Sequence, residues 1–316
     1  DPKGFLNPGV VLADEDTDYA TDLKVAETVE EEVDRCVECG YCEPVCPSKD
    51  LTLTPRQRIV LRREIAAAEA NGDTKLAERL RQEYEYYGID TCAVDGMCVT
   101  RCPVLINTGD LVRRLRAENQ DALGAAGWKF ASKHWGAVDK VAGKALTVAK
   151  MLPFPVVRGA TDIGRKLFGD DMVPAYKKGL SAGGAPRVPH AEANPDIVFF
   201  PACVNAMFGG VDGEGKHDPV NATQAFIRLC ERAGVKYRVP EGIDQMCCGT
   251  PWKSKGYTDG YSIMSDRVLK ALWQATDGGR IPIVCDASSC TEGLEVMRAK
   301  VAAAVEHKIT QGLGAG

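Results

Sequence analysis

The chain has 316 residues, of which 45% are hydrophobic and 26% are charged, and its formal net charge is −5. This length suggests two domains, and the apolar content is enough to bury a core in at least one of them. No run of eighteen or more uncharged apolar residues is present, so we expect no membrane-spanning helix. We expect no nucleic-acid partner for this acidic chain.

The first 34 residues are acidic, with eleven Asp and Glu against two Lys. The chain does not begin with Met, and residues 1–12 contain too few apolar side chains to found a domain. We therefore interpret residues 1–33 as a linker, the tail of an upstream domain, that leads into a short helix before Cys36.

Two cysteine arrays are the strongest motif in the chain. Their spacings are C-x2-C-x2-C-x3-C-P and C-x5-C-x3-C-P, and soft thiolates at such spacings suit iron–sulfur clusters. A chance group of buried thiols or a zinc knuckle is the alternative, which two arrays ending alike in Cys-Pro disfavour. With no signal peptide ahead of them, we expect a reducing cytoplasm rather than disulfides. The first array is Cys36, Cys39, Cys42 and Cys46, and the second is Cys92, Cys98 and Cys102.

In such arrays the cysteine before proline usually binds the neighbouring cluster. One [4Fe–4S] cluster would then take Cys36, Cys39, Cys42 and Cys102. The second cluster would take Cys46, Cys92 and Cys98, which is one thiolate short. Asp95 occupies the position of the missing ligand, so the second cluster is a [3Fe–4S] or an Asp95-ligated [4Fe–4S]. Alternatively, Asp95 is only the first residue of an Asp-Gly turn.

The segments around the arrays have helical patterns. Thr54 and Pro55 predict a helix start, Asn71-Gly72-Asp73 predicts its end, and residues 74–87 continue as a second helix. A further helix follows Asn107 or Thr108. The cysteines would lie on loops between helices, which predicts an all-helical two-cluster ferredoxin domain over residues 34–120.

Residues 121–190 are predicted to hold a basic amphipathic helix, with a boundary after it at Pro153 and Pro155, and a linker. Trp128, Trp135 and other apolar residues recur at helical spacing over 128–152, with five lysines between them. Such a helix either packs on its own protein or lies on an anionic membrane surface.

The pattern from residue 191 to 316 alternates strands and helices. Strands at 197–200, 235–239 and 281–284 and helices at 219–233, 259–276 and 291–305 predict a parallel sheet. The overall fold class is therefore α + α/β. Ligands collect at the carboxyl ends of parallel strands, so the cysteines there indicate a third cluster site. They are Cys203, Cys247, Cys248 and Cys290. Cys230 is expected in the core, and Cys285 is either core or a substitute ligand.

The helical half resembles the two-cluster module in the iron–sulfur subunit of succinate dehydrogenase and fumarate reductase. The resemblance rests on the two spacings and the two helices between them, over residues 34–118. It implies that the x5 array carries a [3Fe–4S] cluster near a quinone.

The second half resembles the cysteine-rich CCG domain of heterodisulfide reductases and of glycolate- and lactate-oxidising complexes. Phe200-Pro-Ala-Cys203, Cys247-Cys248-Gly249 and Ser288-Ser289-Cys290 carry this resemblance. The chain departs from the family where Ala287 replaces the first cysteine of the last C-x2-C, and it has one CCG repeat where relatives commonly have two.

Longer stretches around Cys36–Arg58, Asp90–Cys98, Cys247–Tyr257 and Asp286–Cys290 are similar to the iron–sulfur half of bacterial respiratory FAD-linked D-lactate dehydrogenases. This resemblance implies an upstream flavin domain or subunit with FAD that oxidises D-lactate, and a relay here that reduces a quinone or cytochrome. The hydride chemistry would then lie outside this segment, and no catalytic residue is expected in it. The protein would be cytoplasmic or peripheral at the inner face of the membrane. The alternatives are disulfide or thiol catalysis at the CCG site, and the iron–sulfur subunit of a glycolate or glycerol-3-phosphate dehydrogenase.

Overall fold

The computed structural model describes residues 27–169, 173–210 and 220–313. The chain divides into two compact units, residues 1–118 and 119–316, each with its own hydrophobic core. The first unit is helical and the second combines helices with a small parallel sheet, so the predicted α + α/β class is confirmed. Most of the predicted acidic linker, residues 1–26, lies outside the described residues.

The first unit contains four α-helices: α1 (Glu31–Asp34), α2 (Pro55–Ala70), α3 (Thr74–Tyr84) and α4 (Thr108–Glu118). Thr54 caps α2 in a reciprocal capping box with Gln57, as the Thr-Pro pair predicted. The cysteines lie between these helices, and α1 ends just before Cys36.

The helix predicted over 74–87 changes character after Tyr84. Residues Glu85–Asp90 form a π-helical turn. Arg58 on α2 donates to the carbonyl oxygen of Gly88, and Arg116 on α4 donates to those of Ile89 and Asp90. Both arginines donate to carbonyls at the C-terminal end of this helical segment. They therefore hold in place the residues that lead into Cys92.

The second unit begins with three helices, α5 (Ala122–Lys133), α6 (Trp135–Met151) and α7 (Phe154–Phe168). The prediction of one continuous helix over 128–152 is wrong, because the chain bends at His134. The bend lets Trp128 and Trp135 both pack on Trp252, with ring centroids 5.9 and 4.9 Å away. This part of the predicted amphipathic helix therefore packs on its own protein.

Residues 154–168, which we expected to be linker, form α7. The prolines taken as a boundary stand at the start of this helix, where a missing N–H costs no hydrogen bond. Within the described ranges, no helix is both long and apolar enough to cross a membrane.

The sheet of the second unit has three parallel strands in the order β2-β1-β3: β1 (Ile197–Phe200), β2 (Tyr237–Arg238) and β3 (Ile283–Cys285). The outer strands are shorter than predicted. Val198 pairs with Arg238 on one side and with Ile283 on the other. The helices that follow the strands are α8 (Cys203–Met207), α9 (Ala222–Ala233), α10 (Thr250–Lys255), α11 (Thr258–Ala275) and α12 (Ser288–Leu313), of which α8 and α10 were not predicted.

Candidate iron–sulfur centres

A first cavity lies inside the helical unit and is lined by four thiols. Its other lining residues are mostly apolar, among them Ile59 and Ile106, and include Arg56. These cysteines are the set predicted if each array gives its last cysteine to the other cluster. They are Cys36, Cys39, Cys42 and Cys102.

The loop that carries three of these thiols turns tightly around the cavity. Glu38 has φ +56° and its N–H lies 3.4 Å from the Sγ of Cys36. Arg63 on α2 donates to the carbonyl of Cys36 and pairs with Glu38. Burial raises the pKa of the Cys42 thiol to about 11. This thiol must therefore release a proton when it binds iron.

A second cavity in the same unit is lined by the other predicted set. It contains three thiols and one carboxylate, those of Cys46, Cys92, Cys98 and Asp95. Cys46 and Cys98 are both buried, with 7% of each exposed. Burial also raises the pKa of Cys92, while the charge of Arg58 opposes that rise.

Asp95 forms the Asp-Gly turn that was predicted as the alternative to a ligand role. Its Oδ1 accepts the N–H of Met97 at 3.2 Å, and Gly96 between them has φ +73°, which favours glycine. Asp95 is also one of the residues that line the second cavity, so the ligand interpretation stays a prediction beside the turn.

Replacing Asp95 by cysteine is expected to complete a four-thiolate set at the second site. Iron content should rise by about one per chain if the native cluster is a [3Fe–4S], because a fourth thiolate retains the fourth iron. The paramagnetic resonance signal of the oxidised [3Fe–4S] cluster should disappear at the same time. Asp95→Asn is the control, which keeps the turn acceptor and should leave the iron count unchanged. A native protein without that signal would instead favour an Asp95-ligated [4Fe–4S].

Arg58 is the residue at the second cavity that our reading of the sequence missed. Its side chain is buried at 1% exposure. Its Nε donates to the carbonyl of Gly88 at 2.7 Å, its Nη2 donates to the hydroxyl of Thr91 at 3.5 Å, and its Nη1 lies 3.9 Å from the Sγ of Cys46. Among the described residues, no carboxylate lies within ion-pair distance of it. A buried cation without a carboxylate is costly, so the thiolates of this site are its natural counter-charge.

Arg58→Met is expected to make the second site lose iron faster to a chelator while the first site keeps its iron. The carbonyl of Gly88 would lose its buried donor, at a cost of about 1–3 kcal/mol in the free energy of unfolding. Arg81→Met, which breaks an exposed pair with Glu69, is the control, with a change below about 1 kcal/mol. Equal iron release from both variants would remove the link between Arg58 and the site.

The third group of thiols lies at the carboxyl end of the sheet, as predicted. Cys203 begins α8 directly after β1, and Cys290 lies in the first turn of α12 after β3. Cys247 and Cys248 precede α10, and the Sγ atoms of Cys203 and Cys247 are 3.7 Å apart. The Sγ of Cys248 lies 3.3 Å from the hydroxyl of Thr250.

The thiols of this third group share their protons unequally. The hydrogen bond from Cys247 lowers the pKa of Cys203. The neighbouring thiols of Cys247 and Cys290 lower the pKa of Cys248. The pKa values of Cys247 and Cys290 are raised in return. The thiols of this site therefore titrate as a coupled group.

The two remaining cysteines of this unit are placed differently. Cys230 is buried in α9, as expected of a core residue. Cys285 ends β3, and burial raises its pKa to about 11. Its thiol remains an alternative ligand only as a prediction.

Buried polar residues hold the cysteine loops of the third site together. Arg187 donates to the carbonyls of Pro201 and Met246, at 3.3 and 2.9 Å, and pairs with Asp139 on α6 at 3.1 Å. Asp286 accepts the N–H of Ala202 at 2.7 Å. The guanidinium therefore ties the loop before Cys203 to the loop before Cys247.

Gly293 allows α12 to lie directly against the Cys247-Cys248 loop. A Cβ at this position would stand 2.6 Å from the carbonyl oxygen of Cys248, which a side chain cannot tolerate. No periodicity or motif in the sequence pointed to Arg187, Asp139 or Gly293, because each acts on residues far away in the chain.

The donor sets at the three sites fit thiolate-bound iron. The first cavity is lined by four cysteines and the second by three, which suits clusters whose ligands bind different irons. In the part of the chain that the structure describes, no three His, Cys, Asp or Glu side chains are arranged around a single metal ion. At the third site the donors fit a cluster, and the Cys203–Cys247 contact equally fits a redox-active thiol pair.

A family model described as a 4Fe-4S dicluster domain matches residues 32–106, which include all seven cysteines of the two arrays. No curated protein and no solved structure matches the chain. Residues 32–106 are therefore a ferredoxin-type iron–sulfur module, whose chemistry is electron transfer through iron–sulfur clusters.

Proposed function

We propose that the chain is the electron relay of a flavin-dependent 2-hydroxy-acid dehydrogenase, most consistent with D-lactate oxidation. An upstream domain or subunit with FAD oxidises the hydroxy acid, and this chain passes single electrons to a quinone or cytochrome. Bound clusters would supply the one-electron steps, and the flavin would supply the hydride chemistry.

The observation that carries the relay is the pairing of two thiol-lined cavities within one module. The exchanged cysteines, Cys46 and Cys102, link each cavity to the other cysteine array. Two sites built from shared loops hold two electron carriers in fixed proximity. The proposed ligand sets are Cys36, Cys39, Cys42 and Cys102 for a [4Fe–4S], and Cys46, Cys92 and Cys98, with or without Asp95, for the second cluster.

The side chains around each cavity have separate tasks in this function. Apolar walls such as Ile59 and Ile106 exclude water from the first site. Arg58 places a fixed positive charge beside the second site, which stabilises added negative charge and so favours reduction there.

The substrate is supported by the resemblance of the cysteine-bearing segments to lactate-oxidising enzymes. Its test uses the chain together with the polypeptide segment or subunit encoded upstream. Anaerobic D-lactate should reduce the clusters, seen as bleaching of the visible absorbance, faster than L-lactate, glycolate or glycerol 3-phosphate does. Preference for glycolate or glycerol 3-phosphate would assign one of the related dehydrogenases, and no reduction by any of them would contradict the proposal.

The number of clusters is a separate prediction with a direct measurement. Two filled sites correspond to about seven to eight irons per chain, and a filled third site to about eleven to twelve. We expect the higher number when the protein is isolated without oxygen. A count of seven to eight, unchanged in a Cys290→Ala variant, would show that the third site holds no cluster.

The contact between Cys203 and Cys247 supports a second candidate, reduction of a disulfide substrate. The Cys203 thiolate would attack the disulfide and release one thiol, and Cys247 would then displace the second thiol and leave a Cys203–Cys247 disulfide. Two electrons from the relay and two protons would restore the dithiol. Turnover of hydroxyethyl disulfide with reduced viologen, abolished by Cys203→Ala, would support this activity, and no turnover would exclude that disulfide as a substrate.

A further inference from the structure

The end of α6 and the whole of α7 expose a concentration of large apolar side chains. Such side chains are normal singly, but a contiguous group marks a surface that contacts something else. Within residues 141–167 the exposed ones are Val141, Val148, Met151, Leu152, Phe154, Val156, Ile163 and Leu167.

Helix α7 has its apolar stripe turned away from the protein. Val156, Ile163 and Leu167 are spaced seven and four residues apart, so they share one helix face, and they are 59%, 62% and 72% exposed. The opposite face is polar and packed. Thr161 accepts the N–H of Tyr176, and Arg165 donates to the carbonyl of Val173. An ordinary surface helix has the reverse orientation.

Positive charge accompanies this apolar surface. Residues 141–167 hold five Lys and Arg against one Asp, within a chain of net charge −5. Asp162 on α7 is paired with Arg158 of the same helix. Lys144 on α6 and Lys166 on α7 are both exposed. An apolar face bordered by lysines is typical of helices that lie in the headgroup layer of a membrane.

We propose that residues 141–167 form a docking hairpin that binds the surface of an anionic lipid bilayer, with Val156, Ile163 and Leu167 inserted among the headgroups. The charge favours lipid over another protein surface, since each Lys or Arg near an anionic leaflet adds a similar increment of attraction. The proposal deepens the proposed relay by placing it where a quinone is dissolved, but its test does not use activity.

The test is sedimentation of the full chain with phosphatidylcholine vesicles that contain or lack about 30% phosphatidylserine. We expect binding to the anionic vesicles that weakens at high salt, and little binding to neutral ones. Ile163→Asp and Leu167→Asp should each reduce the bound fraction by about tenfold, because a charge would enter the apolar layer. Leu229→Asp is the matched control, since Leu229 is also 62% exposed but lies on α9.

Three results would overturn the proposal. The first is equal binding to neutral and anionic vesicles, and the second is anionic binding that Ile163→Asp and Leu167→Asp leave unchanged. The third is no vesicle binding, accompanied by a soluble complex with the upstream flavin domain or with a second copy that the same variants disrupt. Circular dichroism of each variant separates a lost surface from a lost fold. Failure of the lactate experiment with intact vesicle binding would reject the relay assignment alone.

Discussion

Cys102→Ala is expected to empty the cluster site of the first cysteine array, although Cys102 lies in the second array. Cys102 lines the same cavity as Cys36, Cys39 and Cys42. A [4Fe–4S] cluster that loses a thiolate becomes labile, so iron should fall by up to about four per chain. Signals of the second cluster should survive.

Cys46→Ala gives the reciprocal expectation. Cys46 lines the second cavity, so the second cluster should be lost and the first retained. Iron analysis and low-temperature paramagnetic resonance of both variants measure the two outcomes. Cys230→Ala is the control, because this buried cysteine on α9 belongs to neither array and its replacement should leave iron unchanged.

The reverse pattern would show that each array binds its own cluster. In that case Cys46→Ala would empty the first site, and Cys102→Ala the second. A loss of both clusters in either variant would mean that the module folds only with both sites filled, which circular dichroism of the isolated variants would reveal.

The cysteine sets are predictable from the sequence because ligand spacing is local and chemically constrained. Three thiols at two-residue gaps require a wrapping loop, and the residues for it, such as Gly40 with φ +82°, are in the same segment. The start of helix α2 is equally predictable, because the residues that determine it, the cap Thr54 and the following Pro55, are neighbours in the sequence.

The positions that were missed depend on contacts over long sequence separations. In the sequence, Arg58 has the position of an ordinary residue of an amphipathic helix. Its role depends on its hydrogen bond to the carbonyl of Gly88, which is distant in the sequence. The helix break at His134 allows two rings, one on each side of it, to pack against Trp252. Trp252 is more than a hundred residues further along the chain. Pro153 and Pro155 predict a boundary in the sequence, but in the structure they stand at the start of helix α7.

Arg187→Met is expected to destabilise the second unit strongly and to disorder the third site. The Arg187 and Asp139 side chains are 2% and 6% exposed, so they form a buried ion pair. Removing one partner of such a pair costs about 3–5 kcal/mol, because the other charge is left without compensation. The carbonyls of Pro201 and Met246 also lose their donor, which frees the loops of Cys203 and Cys247. Chemical unfolding and iron content should both report the change.

Two further measurements separate the charge effect from a loss of packing. Asp139→Asn in the Arg187→Met background should recover part of the lost stability, since a neutral amide replaces the stranded carboxylate. Burial raises the pKa of Asp139 and Arg187 lowers it, so the pKa of this carboxyl should rise further in Arg187→Met. A raised pKa in the folded state favours the protonated form, so the destabilisation should be largest near neutral pH. It should shrink as pH falls through the folded-state pKa of Asp139. A destabilisation that is independent of pH and unaffected by Asp139→Asn would assign the effect of Arg187 to packing and to its carbonyl contacts.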